Sequence, residues 1–273
     1  MAGSYSPLRH AARGVWGAYN PARTWFAVYS AYYDASGQEL AGGFLSVAGL
    51  LATDRKWRRF ESRWTEVLDK HEVGHLHMNE FIGCYGEFEG WRDNEYRQAA
   101  FLSELIQVIK QGMNKGFVYI IPSDSVGALA NLFSGIGKDG AYAIAAESCS
   151  VSIERWLKQK HPGAPLMHFH EKGDKGQGLL HHSKRIQRPM AFPPKFDEET
   201  GRWIRQYEAC DLVAWEFRRY LLDRALLRGP VRDAIFEIER QLPIQGYYFP
   251  FDELVQICVE MGLRPRHVPQ GEP

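Results

Sequence analysis

Two apolar runs near the start of the chain limit the possible folds more than any other feature. Residues 25–33 read Trp-Phe-Ala-Val-Tyr-Ser-Ala-Tyr-Tyr, and residues 43–51 read Gly-Phe-Leu-Ser-Val-Ala-Gly-Leu-Leu. Asp34-Ala35-Ser36-Gly37 supplies a turn signal between them, so the pair reads as a β-hairpin with a long turn. Both alternating faces of the first run are apolar or aromatic. A strand of that kind needs cover on both sides, which places it centrally in a layered α/β structure.

The rest of the chain supplies the cover. Thr53 or Asp54 suits the cap of a helix in which Trp57, Phe60, Trp64 and Leu68 recur at helical spacing. Residues 74–94 are irregular, and residues 95–111 are helical. Residues 116–122 read as a strand, 124–133 as a short helix, and 140–159 as a helix after a glycine-rich loop. Residues 165–171 read as a strand. A glycine loop at 172–178 leads into a basic helix reaching Arg188. Prolines confine Met190 to Lys195 to an edge strand. Residues 203–224 form a strong helix, Pro230 suits the first turn of another, and Asp252 suits the cap of the last. The expected organisation is a loose arm over 1–24, one α/β domain over 25–262 with a helical insertion at about 52–112, and a flexible tail over 263–273.

With 45% hydrophobic and 24% charged residues among 273, the composition excludes a disordered chain, a collagen and a coiled-coil rod. The 33 basic residues equal the 33 acidic ones. No global positive field therefore advertises nucleic acid, and any such surface must be a local patch. Cys84, Cys149, Cys210 and Cys258 form no CxxC pair, which fits buried thiols in a reducing compartment. The first twenty residues lack a continuous apolar core of the secretory type, and no run is long enough to span a bilayer. A soluble cytoplasmic protein that does not enter a membrane is the expectation.

Acidic residues in unusual places carry the chemistry. Asp34 ends an apolar strand, and Glu171 ends another, in phase with Met167 and Phe169. Asp211 lies on the apolar face of its helix, four residues after Tyr207. Glu147, with Ile144 and Val151 at helical spacing, also points inward. Burying a lone carboxylate costs several kcal/mol. Either a basic partner or a divalent cation shared among carboxylates offsets that cost, and hard Mg²⁺ or Mn²⁺ prefers oxygen ligands.

Three stretches resemble a known family. Tyr33-Asp34-Ala35-Ser36-Gly37 resembles the opening Asp-Glu-Ser-Gly of the domain of unknown function (DUF) 3800 family. His77-Met78-Asn79-Glu80-Phe81 is similar to its His-x-x-Glu-Phe stretch. Tyr207 to Glu216 resembles its C-terminal Gln-x-x-Asp-Leu-x-Ala helix. The resemblance spans about residues 26–224. It implies a ribonuclease H-like mixed sheet flanked by helices, here with a helical insertion and extra C-terminal helices. Such folds place acids on the first strand, the first long helix, the fourth strand and the last helix, which correspond to Asp34, Glu147, Glu171 and Asp211. The sequence departs from the family at Ala35, where Glu is usual, and at Glu208, where Gln is common. Asp174 competes with Glu171 for the third role.

That set implies hydrolysis of phosphodiesters in DNA or RNA with two divalent ions about 3.5–4 Å apart. Asp34, Glu171 or Asp174, and Asp211 are the expected metal ligands, with Glu147 completing the catalytic acids. His77 or His170 is placed to relay a proton. Lys172, Lys175, Lys184, Arg185, Arg188, Arg218 and Arg219 are the candidates for holding a nucleic-acid backbone. Two other readings stand beside this one: a non-catalytic nucleic-acid-binding or regulatory protein on the same scaffold, and a metal-dependent phosphatase or nucleotide hydrolase. His75-x-His77 with Cys84 lacks a second ligand pair for zinc. The GxGxxG at 135–140 follows a helix, so it fails the context of a dinucleotide site. Ser36 lacks a Gly-x-Ser-x-Gly elbow.

Overall fold

The computed structural model describes residues 29–37, 43–134, 136, 140–173, 176–198, 201–225 and 242–266. The expected arm over 1–24 and the helix at Pro230 lie outside these residues. The expected hairpin is β1 (Tyr29–Ser36) and β2 (Phe44–Thr53), paired antiparallel with Asp34 opposite Ala48. Thr53 caps α1 (Asp54–Lys70), its hydroxyl accepting from the Lys56 amide. There follow α2 (Met78–Gly83), a single 3-10 turn, α3 (Glu95–Gly112) and β3 (Lys115–Pro122). The chain continues through α4 (Ser123–Leu132), β4 (Phe133–Ser134), α5 (Gly140–Lys160), β5 (Leu166–His170) and α6 (Gln177–His181). Three two-residue strands come next, β6 (Met190–Ala191), β7 (Phe196–Asp197) and β8 (Arg202–Trp203), followed by α7 (Arg205–Ala225). The last described elements are β9 (Ile244–Tyr248), α8 (Phe251–Glu260) and β10 (Arg264–Pro265).

The main sheet has the order β6-β5-β1-β2-β3-β9. Strands β1, β2 and β3 form an antiparallel meander, and β5 runs parallel to β1 on its other side. β6 and β9 lie parallel to β5 and β3 at the two edges. This is the mixed α/β sheet flanked by helices that the resemblance implies.

Strand alternation sorts the core into two layers. Tyr32, Leu50, Val118 and Phe169 face one side, where they meet Trp57, Phe60 and Trp64 of α1, Phe101 and Leu105 of α3, and Cys210 to Phe217 of α7. Tyr33, Val47, Tyr119 and Leu166 face the other, packed by Ile144, Cys149 and Ile153 of α5 and by Leu254 of α8. The helical insertion therefore covers the same face as α7. Gly49 is required where it sits: a Cβ there would lie 2.5 Å from the Tyr33 ring across the hairpin.

Several local expectations are corrected. The basic helix to Arg188 is only the short α6, and the edge strand shrinks to Met190–Ala191, because prolines 189, 193 and 194 withhold amide donors. Pro250 occupies the N-cap of α8, which puts Asp252 in the first turn. Within the expected tail, Arg264 and Pro265 pair with Ser134 and Phe133. β9 has no counterpart in the sequence reading. Among the described residues, no helix is long and apolar enough to cross a membrane.

Candidate functional site

The sheet register brings two of the acids together. Tyr33 lies beside His170, so Asp34 at one strand position further on β1 neighbours Glu171, just past the end of β5. Asp34 shares parity with Tyr32, and Glu171 shares it with Phe169, so both belong to the face covered by α7. Asp211 comes from that helix and is buried, as is Asp34.

One side chain joins all three. Lys195 Nζ lies 2.6 Å from Asp34 Oδ2, 3.9 Å from Glu171 Oε2 and 4.0 Å from Asp211 Oδ2. The backbone around Lys195 is pinned on both sides. The Lys195 carbonyl accepts from the Ile204 amide at 2.8 Å, and the Pro193 carbonyl accepts from Lys172 at 2.9 Å. Backbone amides also hold two of the acids. Asp34 Oδ1 accepts from the Ala35 amide at 2.7 Å, and Asp211 Oδ2 accepts from the Met78 amide, the first residue of α2, at 2.9 Å.

The electrostatics follow from burial and proximity. Burial alone would lower the Lys195 pKa, but Asp34, Asp211 and Glu171 more than offset it, and the ammonium holds its proton above the usual lysine range. Burial pushes the Asp211 carboxyl up, with Lys195 opposing and Asp34 reinforcing the shift. Tyr207, one helical turn before Asp211, is fully buried, and its hydroxyl has no hydrogen-bond partner among the described residues. Its pKa is raised by burial first and then by charges that include Glu171 and Asp34.

The other expected residues are placed as follows. Glu147 does not join the cluster. It lies on α5, across the sheet, where Ser183 Oγ donates to one carboxylate oxygen and Arg185 Nη1 lies 2.9 Å from the other. Burial pushes its pKa up. Arg185, one of the residues expected to hold a nucleic-acid backbone, makes this contact and another to Glu260 at 3.1 Å. Asp174 and Lys175 lie outside the described residues. Lys172 and Lys184 are exposed, and Arg219 pairs with Asp223. Arg218 is half-buried, with its Nε unpartnered among the described residues. It packs so closely on the turn after β1 that a Cβ at Gly37, where φ is +106°, would lie 2.7 Å from Arg218 Cδ.

His77 caps α2 beside the Met78–Asp211 contact and is one of the charges that lower the Asp211 pKa. Its Nδ1 lies 3.6 Å from Glu80 Oε1, and the other oxygen of Glu80 lies 3.6 Å from His75 Nε2. His75 in turn stacks on Trp203 with ring centres 4.2 Å apart. His170 is buried on the opposite face, stacked on Tyr33. Cys84 receives a contact from Gln98 at 3.6 Å. Lys195, Glu80 and Tyr207 were not among the expected site residues.

Among the described residues, no three His, Cys, Asp or Glu side chains close around a common point as ligands. At the one place among them where three carboxylates converge, an ammonium stands between the acids. The donor chemistry is nevertheless the kind a hard divalent cation prefers: three carboxylates supply only oxygen, and the unpartnered, buried Tyr207 hydroxyl lies within electrostatic reach of Glu171 and Asp34.

No family model matches the chain, and no curated protein matches it. Among solved structures, the chain is similar to Bst-RNase HIII in complex with Mn²⁺, at 13% identity and a TM-score of 0.46, covering 82% of this chain and 67% of that one. It is also similar to a mutant protein of Bst-RNase HIII, at 14% identity and a TM-score of 0.45, covering 86% and 73%. A third is ribonuclease H2 from Pyrococcus horikoshii OT3, at 11% identity and a TM-score of 0.40, covering 86% and 99%. These are likenesses of fold; what those proteins bind or cut belongs to them.

Proposed function

We propose that this chain is a divalent-metal-dependent phosphodiester hydrolase acting on DNA or RNA, and a member of the DUF3800 family working in the cytoplasm. Asp34, Glu171 and Asp211 would hold Mg²⁺ or Mn²⁺, with Asp174 a further candidate ligand. The observation that carries this reading is the convergence of carboxylates from β1, the end of β5 and α7 on one positive group. A divalent ion supplies activation of water and charge stabilisation at phosphorus.

The chain's own residues would do the rest. The Met78 amide fixes the Asp211 carboxylate, and Ala35 fixes that of Asp34. His77, with Glu80 beside its Nδ1, is positioned to accept or return a proton at the rim. Exposed Lys172 and half-buried Arg218 flank the acids and suit a phosphate backbone.

One observation favours a second reading. The 2.6 Å contact from Lys195 to Asp34 satisfies the acid without a metal, as a non-catalytic binding or regulatory protein would require. A panel of labelled single- and double-stranded DNA, RNA, hybrid and mononucleotide substrates separates these readings. The hydrolase reading expects Mn²⁺-dependent turnover that chelator removes and that Asp34→Asn and Asp211→Asn abolish. Turnover confined to mononucleotides would move the assignment to a nucleotide hydrolase, and absence of any turnover would favour the non-catalytic protein.

A further inference from the structure

Lys195 is built into the acid cluster. Its carbonyl is tied to Ile204 at the entry to α7, the preceding Pro193 is tied to Lys172, and the strands that follow it close a small ladder with Phe196 opposite Trp203. Its side chain is only 15% exposed. The backbone therefore delivers the ammonium to one place, and withdrawing it would expose three acids to one another.

Charge then limits what else the pocket can hold. Three carboxylates and one ammonium leave two negative charges, which a single divalent ion neutralises. A second ion beside the ammonium would leave two excess positive charges, which a low-dielectric site tolerates poorly, whereas without the ammonium two ions would leave only one. Arg218 adds positive charge near Asp211, and Glu147, the further acid expected at the site, is held across the sheet by Ser183 and Arg185. A separate feature points to a ligand among these acids. The Tyr207 hydroxyl, one helical turn before Asp211, is fully buried within electrostatic reach of Glu171 and Asp34 and lacks a partner among the described residues.

We propose that Lys195 is a permanent cationic member of this centre, taking the place of a second divalent ion, so that the pocket loads one divalent ion per chain. The proposal rests on the reading that Asp34, Glu171 and Asp211 hold a divalent ion, and it replaces the two-ion expectation with an ion-plus-ammonium centre. It also gives Lys195 a role toward substrate, as a fixed positive charge beside the phosphate that the ion engages.

The test is Mn²⁺ stoichiometry on the full chain, by calorimetry and by the electron-spin signal of unbound Mn²⁺. Wild type is expected to take up one equivalent, Lys195→Met two, and the charge-conserving Lys195→Arg one. Circular dichroism checks folding, and Lys195→Gln carries the same two-ion expectation should the Met variant fail to fold. Two equivalents in wild type, none in wild type, or a single equivalent in the charge-removing variants would overturn the proposal. Nucleic-acid hydrolysis measured in parallel separates the two readings. Turnover with two ions in wild type sinks the ion count alone, whereas one ion with no turnover on any substrate leaves the count standing and removes the hydrolase.

Discussion

Lys195 places its ammonium 2.6 Å from the Oδ2 of Asp34, a residue 161 positions earlier in the chain. That contact is mostly buried on both sides, with 15% and 5% of the two side chains exposed. Removing one partner of such a pair leaves the other uncompensated, at a cost of about 3–5 kcal/mol. Lys195→Met is therefore expected to lower unfolding free energy in urea by about that amount at neutral pH, and millimolar Mn²⁺ to restore part of it. A variant as stable as wild type without metal would show that the ammonium does not neutralise the acids.

Glu147 offers a contrast within the same chain. It is as buried as Asp211 but lies on the α5 side of the sheet, engaged by Ser183 and Arg185. Glu147→Gln is expected to reduce stability while keeping Mn²⁺-dependent turnover within about threefold of wild type. Asp34→Asn and Asp211→Asn should lose about 100-fold or more, since each removes a charge from the cluster itself. Equal loss of turnover in all three variants, with the folds intact, would place Glu147 in the catalytic centre.

Glu208 links the helical insertion to α7. Its Oε2 accepts from Trp64 Nε1 at 2.6 Å, and its Oε1 lies 2.6 Å from Arg205 Nη1. Burial is the dominant influence and raises its pKa above the ordinary 4.5, although Arg205 and Trp64 oppose the shift. Between the ordinary and the raised value, the folded chain binds more protons than the unfolded one. This carboxyl's contribution to stability is thus greatest at the acid end and declines as pH rises through the raised value. Urea titrations from pH 4 to 8 should show that decline in wild type relative to Glu208→Gln. A wild type that gains stability relative to Glu208→Gln as pH rises would contradict the assignment.

The four thiols are free and differ in accessibility. Cys149, Cys210 and Cys258 are buried, and burial raises the pKa of each, that of Cys258 to about 12. Cys84 is half-buried at the end of α2. Ellman's reagent should therefore find one reacting thiol in the native protein and the remaining three only on unfolding. Two or more rapidly reacting thiols would contradict the packing of α5, α7 or α8.

Much of this site can be read from periodicity. Two-residue alternation and the helical interval from Tyr207 to Asp211 identify Asp34, Glu171 and Asp211 as inward-facing before any coordinates. Glu147 shows where that reading stops. Spacing reports that a helical residue points inward, but not against which face of the sheet its helix packs. Lys195 left no periodic signal at all. It follows two prolines in an irregular connection, and its position is set by backbone contacts to Lys172 and Ile204 rather than by local sequence. β9 escaped notice for a related reason: it is an edge strand with exposed Tyr247 and Tyr248, so no apolar alternation marks it.

The most direct measurement of the central claim is a crystal structure of the full chain grown with Mn²⁺ and recorded at a wavelength where manganese scatters anomalously. The account expects one anomalous peak coordinated by carboxylate oxygens of Asp34, Glu171 and Asp211, with the Lys195 ammonium beside it. No peak among these acids, with Lys195 alone neutralising them at saturating Mn²⁺, would contradict it.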